Sequence, residues 1–180
     1  MRFLAPFAAL SLALVPAAAV PALPTGARAP DFTAAGALAG RPFRLSLREQ
    51  LRRGPVVLYF YPRSFTEGCT LEAHAFSEAA RDFRRLGASV VGMAADDYET
   101  LRRFSVEACR NAFPVATATP ATIRAYDVHF REGAALTNRT SFVIAPNGRI
   151  IYAYSDLDWR NHVTNTLRAV REWRARQRRR

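Results

Sequence analysis

The chain reads as an α/β domain with a mixed central sheet flanked by helices. Three observations predict this. Apolar β-rich runs alternate with segments of helical periodicity, as in βαβ units. An Asn-Gly pair between two apolar runs adds a hairpin, hence antiparallel strands. The composition is ordinary for a globular protein, with 49% hydrophobic and 23% charged residues in 180, which excludes disordered, collagenous and coiled-coil classes.

In chain order, Val56–Tyr61 (VVLYFY) is a continuous apolar run, as expected of a strand buried on both faces, and Pro62 ends it. A loop over Arg63–Gly68 follows. Cys69–Leu86 then carries Leu71, Ala75, Ala79, Phe83 and Leu86 at helical spacing, with Gly87 as the stop. Ala88–Ala95 (ASVVGMAA) is a second buried strand. Asp96-Asp97 caps a helix through Leu101, Phe104 and Val106 that reaches Cys109. Phe113–Thr117 is a short strand, and Pro120 opens a short helix ending near Tyr126. Thr140–Ile144 and Ile150–Tyr154 flank Asn147-Gly148 as a hairpin. A last helix runs from about Trp159 to Arg174, with Val163, Leu167, Val170 and Trp173 on one face.

The formal net charge is +11 and every basic residue is Arg, which excludes Schiff-base lysine chemistry and a phosphate-binding GK[ST] loop. Residues 168–180 carry seven Arg and one Glu, so the excess is mostly a tail. Met1-Arg2 followed by the uncharged apolar stretch Phe3–Val20, with small residues at Ala17-Ala18-Ala19 and Val20-Pro21-Ala22, reads as a cleaved signal peptide. The rival reading, an uncleaved anchor, is interrupted by Pro6, Pro16 and Pro21. The organisation expected is a signal peptide at 1–22, one domain at 26–171 and an Arg-rich tail at 172–180, exported to the periplasm. There an oxidising environment lets two cysteines pair.

Cys69 falls where a buried strand and its loop give way to a helix, and a helix N-terminus favours a thiolate. A cysteine in that place is, taken bare, also a common packing residue. No Cys-x-x-Cys pair occurs, His129 and His162 lack ligand-like spacing, and no metal or cofactor is expected. Asp96-Asp97 is better explained by a helix cap than by acid–base chemistry.

The string Phe60-Tyr61-Pro62…Thr66-Glu67-Gly68-Cys69-Thr70-Leu71-Glu72-Ala73 resembles the peroxiredoxins, thiol peroxidases of thioredoxin-like fold, and within them the peroxiredoxin Q (bacterioferritin comigratory protein) subgroup. Gly26…Ala29-Pro30-Asp31-Phe32 and Arg139-Thr140-Ser141-Phe142-Val143-Ile144-Ala145-Pro146-Asn147-Gly148 are similar to its opening and its hairpin, in order, over about 26–170. The resemblance implies a peroxidatic Cys69 that becomes a sulfenic acid. It also implies a Thr66 hydroxyl bonded to the thiolate and peroxide, a shielding Pro62, and an Arg139 paired with the sulfur. Glu72 matches a family glutamate, with pairing to an Arg as its plainer role. Where many members of the subgroup carry a resolving cysteine five residues on, this chain has His74. Cys109 lies in the region of the other known arrangement, leaving Cys109 or an outside thiol as the partner.

The function expected is therefore an exported thiol-dependent peroxidase acting on hydrogen peroxide and organic hydroperoxides, regenerated by a thioredoxin-like or other thiol reductant, and monomeric. The alternative is a thioredoxin-fold redox or anionic-surface-binding protein without turnover, the Arg tail meeting an anionic envelope surface. No nucleic-acid partner is expected.

Overall fold

A computed structural model describes residues 22–131 and 133–179. The expected signal peptide therefore lies almost entirely outside the described residues. The order is β1 (Thr33–Leu38), β2 (Arg41–Ser46), α1 (Leu47–Arg53), β3 (Val56–Phe60), α2 (Glu67–Arg85), β4 (Ser89–Ala94) and α3 (Tyr98–Glu107). Then come β5 (Val115–Thr117), α4 (Pro120–Tyr126), β6 (Thr140–Ile144), β7 (Ile150–Ser155), a 3₁₀ turn at Trp159–Asn161 and α5 (His162–Gln177).

One sheet holds all seven strands in the order β2-β1-β5-β4-β3-β6-β7. β3, β4 and β5 are parallel neighbours, while β6 runs antiparallel to both β3 and β7. The mixed sheet expected from the βαβ order plus the hairpin is the one found. Gly148, at φ 77°, makes the turn and bonds back to the Ala145 carbonyl at 2.8 Å.

β3 is buried at all five positions because helices cover both faces. Val57 and Tyr59 point to the side where α2, α3 and α5 pack, with Phe76, Phe83, Phe104 and Val170. Val56, Leu58 and Phe60 point to the side of α1 and α4, with Leu51, Ile123 and Tyr126. α2 buries the i, i+3/i+4 stripe Ala73, Phe76, Ala80 and Phe83 and ends in a Schellman turn. There Gly87, at φ 69°, bonds the Arg84 carbonyl, and Ala88 bonds that of Phe83.

The hairpin β1–β2 and helix α1 have no counterpart in the sequence reading. β1 is Thr-Ala-Ala-Gly-Ala-Leu, with little β-branched content, and its turn is Ala39-Gly40 at φ 52° and 74°. α5 runs to Gln177, so residues 172–177 of the expected tail continue the helix, and Arg174 Nε reaches the Leu86 carbonyl. Among the described residues, no helix is long and apolar enough to cross a membrane.

Candidate active site

The site is assembled by strand register. β3 and β6 pair with Phe60 opposite Thr140, so the next residues along, Tyr61 and Arg139, come side by side where β3 runs out. The Thr137 hydroxyl fastens this junction by donating to the Tyr61 carbonyl at 2.6 Å. Strand alternation then sends Arg139, Ser141 and Val143 to one face, the face of α2 and α5. The loop after Tyr61 is anchored by the Ser64 N–H, 2.7 Å from Asp96 Oδ2, while Asp97 caps α3 through the Thr100 N–H at 2.9 Å. Adjacent aspartates thus do two structural jobs.

Phe65 holds a left-handed backbone (φ 63°) and is 38% exposed. Its ring meets Phe104 edge-on at 5.2 Å, under the guanidinium of Arg103 at 5.1 Å. Both contacts come from α3, so the loop before Cys69 is clasped by the helix that leads to Cys109.

Cys69 lies in the first turn of α2 and is 1% exposed. Arg139 Nη2 donates toward its sulfur at 3.4 Å, Nη1 is paired with Glu72, and Nε donates to the Leu157 carbonyl at 2.9 Å. Three separate partners fix the guanidinium plane, and its one positive charge faces two acidic groups, Cys69 and Glu72. Thr66 is the N-cap of α2 but makes no side-chain cap. Its hydroxyl donates to the Arg63 carbonyl at 3.0 Å, so its single proton is spent there and not on Cys69, as the resemblance implied. The reason is local: an exposed N-cap threonine finds a turn carbonyl three residues back. Pro62 stands half-buried at the head of the loop.

Cys109 falls just past the end of α3, buried in the same apolar cluster as Cys69, Tyr59 and Tyr61. Both thiols are free. Burial pushes the Cys109 thiol well above its ordinary value, so it rests protonated. Arg110 and Asn111 follow at φ 49° and 62°, two successive left-handed residues that are not glycine. His74, one turn along α2 from Cys69, is only half-buried.

Two groups around the site exceed what the sequence reading gave them. Glu72 is fully buried, and desolvation pushes its carboxyl up to about 8 against the pull of Arg139. His162, set aside for want of ligand spacing, is fully buried at the start of α5, with Nδ1 2.8 Å from Ser141 Oγ and Nε2 2.9 Å from the Asp156 carbonyl. Burial lowers it to about 4. The match to a family glutamate was the signal for Glu72; nothing local marked His162. Among the described residues, no group of three or more His, Cys, Asp or Glu could hold a metal ion.

This arrangement, a cysteine at a helix N-terminus under an arginine from the neighbouring strand of a thioredoxin-like sheet, defines a class: the peroxiredoxins, thiol-dependent peroxidases. The chain belongs to the AhpC/TSA family, whose model matches residues 25–153. It is 34% identical over 142 residues to a peroxiredoxin of Mycobacterium tuberculosis, covering 73% of this chain and 88% of that one. It is 29% identical over 147 residues to the chloroplastic peroxiredoxin Q of Oryza sativa subsp. japonica, covering 81% of this chain but 65% of the rice protein's length. The solved structure of the peroxidoxin BcpB of M. tuberculosis superposes with a TM-score of 0.74 at 29% identity, over 82% of this chain and 96% of that one.

Proposed function

We propose that the protein reduces hydrogen peroxide and organic hydroperoxides through Cys69. The observation that carries this is the Arg139 guanidinium 3.4 Å from a sulfur at the first turn of α2. A cation and a helix N-terminus converge on one sulfur, where they steady the charge that moves in the displacement. The thiolate attacks one peroxide oxygen and the O–O bond breaks. The sulfur becomes a sulfenic acid, and the departing oxygen takes a proton to leave as water or an alcohol.

Cys109 then resolves the intermediate: its thiol displaces water from the sulfenic acid and closes a Cys69–Cys109 disulfide, which an external dithiol of thioredoxin type reduces. Burial keeps Cys109 protonated and apart from solvent until the end of α3 opens, and the left-handed pair Arg110-Asn111 marks where it opens. The reading extends to a monomer exported to the periplasm by the leader, with the arginines at the end of α5 touching an anionic envelope surface. Peroxide consumption by the full chain with a dithiol reductant tests the central part. Cys69→Ser is expected to abolish it, and turnover by that variant would sink the assignment.

A further inference from the structure

The arginines are not spread evenly over the fold. Three helices finish at the same end of the sheet, and the last turn of each is cationic: Arg52 and Arg53 on α1, Arg84 and Arg85 on α2, Arg174 and Arg176 on α5. A helix dipole draws cations to its own C-terminus, one helix at a time. Bringing three such ends together is the work of the tertiary structure.

The three ends touch. β3 and β4 start side by side, with Val56 opposite Ser89, so the turns that lead into them, at Gly54 and Gly87, abut. A Cβ on Gly54 would collide with the Gly87 carbonyl oxygen, and one on Gly87 with the guanidinium of Arg174. Arg174 Nε also donates to the Leu86 carbonyl. Arg85 pairs with Asp82 and Arg176 with Glu172, but Arg52, Arg53, Arg84 and Arg174 have no carboxylate partner among the described residues. Two clefts meet at this junction. One, of about 380 Å³, is lined by Arg53, Gly54, Arg84 and Gly87. The other, of about 160 Å³, is mostly apolar, with Leu38, Phe83, Val90, Phe113 and Pro114, and shares Arg84 with the first. Trp173 is half-buried on the same stretch of α5, its ring 5.5 Å from the guanidinium of Arg174.

The opposite end of the fold differs. Cys69 and Arg85 are separated by most of the length of α2, roughly 24 Å along its axis. At the Cys69 end the acids gather: Glu67 in the first turn of α2, Asp97 and Glu99 at the start of α3, Asp156 and Asp158 before α5. The surface charge is polarised along α2, with its positive pole away from the thiol.

We propose that this arginine pole docks the protein on an anionic phospholipid membrane, phosphodiester headgroups meeting Arg53 and Arg84 in the wider cleft while the Cys69 site faces outward to solution. A guanidinium offers phosphate a planar fork of donors. An apolar slot beside a cationic cleft, and a half-buried indole next to an arginine, suit the headgroup boundary of a bilayer. A nucleic acid calls for exposed rings on which bases stack, and the rings lining these clefts, Phe83 and Phe113, are buried. The proposal rests on the envelope contact read from the α5 arginines and deepens it. The contact moves from the end of one helix to the junction of three.

The test is co-sedimentation of the reduced full chain with phosphatidylcholine vesicles, with and without phosphatidylglycerol, at low salt. Binding common to both vesicles belongs to the apolar stretch Phe3–Val20, so the excess on phosphatidylglycerol is the readout. Arg53→Gln combined with Arg84→Gln is expected to weaken that excess about 30-fold, a factor of about five per arginine. Arg53→Lys combined with Arg84→Lys restores most of it. Arg63→Gln combined with Arg160→Gln removes the same charge at the Cys69 end and changes the excess less than about twofold. The two tryptophans report orientation, since Trp159 lies beside Gly68 at the Cys69 end and Trp173 at the arginine pole. With brominated acyl chains, Trp173 in the Trp159→Phe protein is quenched, while Trp159 in the Trp173→Phe protein is not. An excess unchanged by the Gln pair at Arg53 and Arg84, but abolished by truncation after Arg174, would return the contact to the tail and overturn the proposal. Equal quenching of both tryptophans would overturn the orientation, and tighter binding to a duplex oligonucleotide at the same salt would make nucleic acid the partner. No excess at all would sink both the pole and the envelope contact it rests on. Peroxide enters none of these measurements, so the peroxidase reading stands or falls separately.

Discussion

Glu72 and His162 give the fold two opposing pH dependences, and separating them is a quantitative test of the buried cluster. His162 titrates at about 4 in the folded protein against 6.5 unfolded, because burial disfavours the imidazolium. Its contribution is complete above 6.5 and is lost as the pH falls through 4. Glu72 titrates at about 8 against 4.5, because burial disfavours the carboxylate. Its contribution is complete below 4.5 and is lost as the pH rises through 8. Going from pH 7 to pH 4, linkage gives a loss of about 3 kcal/mol from the histidine and a gain of about 3 kcal/mol from the glutamate. The wild type thus shows little net slope from this pair. Urea unfolding of wild type, Glu72→Gln and His162→Gln at the two pH values isolates the terms, because all other titrating groups are common to the three proteins. On acidification, Glu72→Gln is expected to lose about 3 kcal/mol more than wild type, and His162→Gln about 3 kcal/mol less. Two variants with the wild-type slope would refute the burial and ionisation states assigned here.

Arg139→Ala removes the donor on the Cys69 sulfur, so stopped-flow oxidation by peroxide is expected to slow about 100-fold, with the alkylation midpoint moving upward; an unchanged rate would remove Arg139 from the site. Phe65→Ala removes an edge-on aromatic contact of about 1 kcal/mol between the Cys69 loop and α3, so disulfide formation after a peroxide pulse is expected to quicken about fivefold. No acceleration would mean the clasp does not limit opening. Truncation after Arg174 keeps the contact to Leu86, so peroxidase activity is expected to persist while retention on anionic vesicles at low salt falls; a large activity loss would tie the last residues to the domain.

Much of the fold was legible because its elements carry strong periods. The run Val56–Phe60 and the Asn-Gly hairpin each state their own burial, and both are present. The period of α2 was legible but not its buried face: of Leu71, Ala75, Ala79, Phe83 and Leu86 only Phe83 is buried, Leu71 is exposed, and the core takes Ala73, Phe76 and Ala80 instead. The β1–β2 hairpin was not legible, since alanine and glycine in a strand satisfy no strand preference and are held there by pairing with β5 and with each other. In the site, Cys69 could be singled out from its strand–loop–helix setting, but Arg139 came only through resemblance. Seventy residues separate the two, and the register of β3 on β6 is what joins them. The Thr66 hydroxyl and the Glu72–His162 approach depend on rotamers and on where α5 docks, which no local pattern encodes. The end of α3 shows the same limit: helical spacing carried the sequence reading to Cys109, yet the helix stops at Glu107 and the cysteine sits in the turn beyond.

The account turns on which sulfur meets the peroxide. Reduced Cys109→Ser protein, treated with one equivalent of hydrogen peroxide in the presence of a sulfenic-acid trap such as dimedone and digested for mass spectrometry, reports it directly. A single adduct on the peptide containing Cys69, giving way to sulfinic acid there when the trap is omitted and a second equivalent of peroxide is added, is the predicted result. A Cys69 peptide that stays unlabelled and reduced while the peroxide persists would contradict the account.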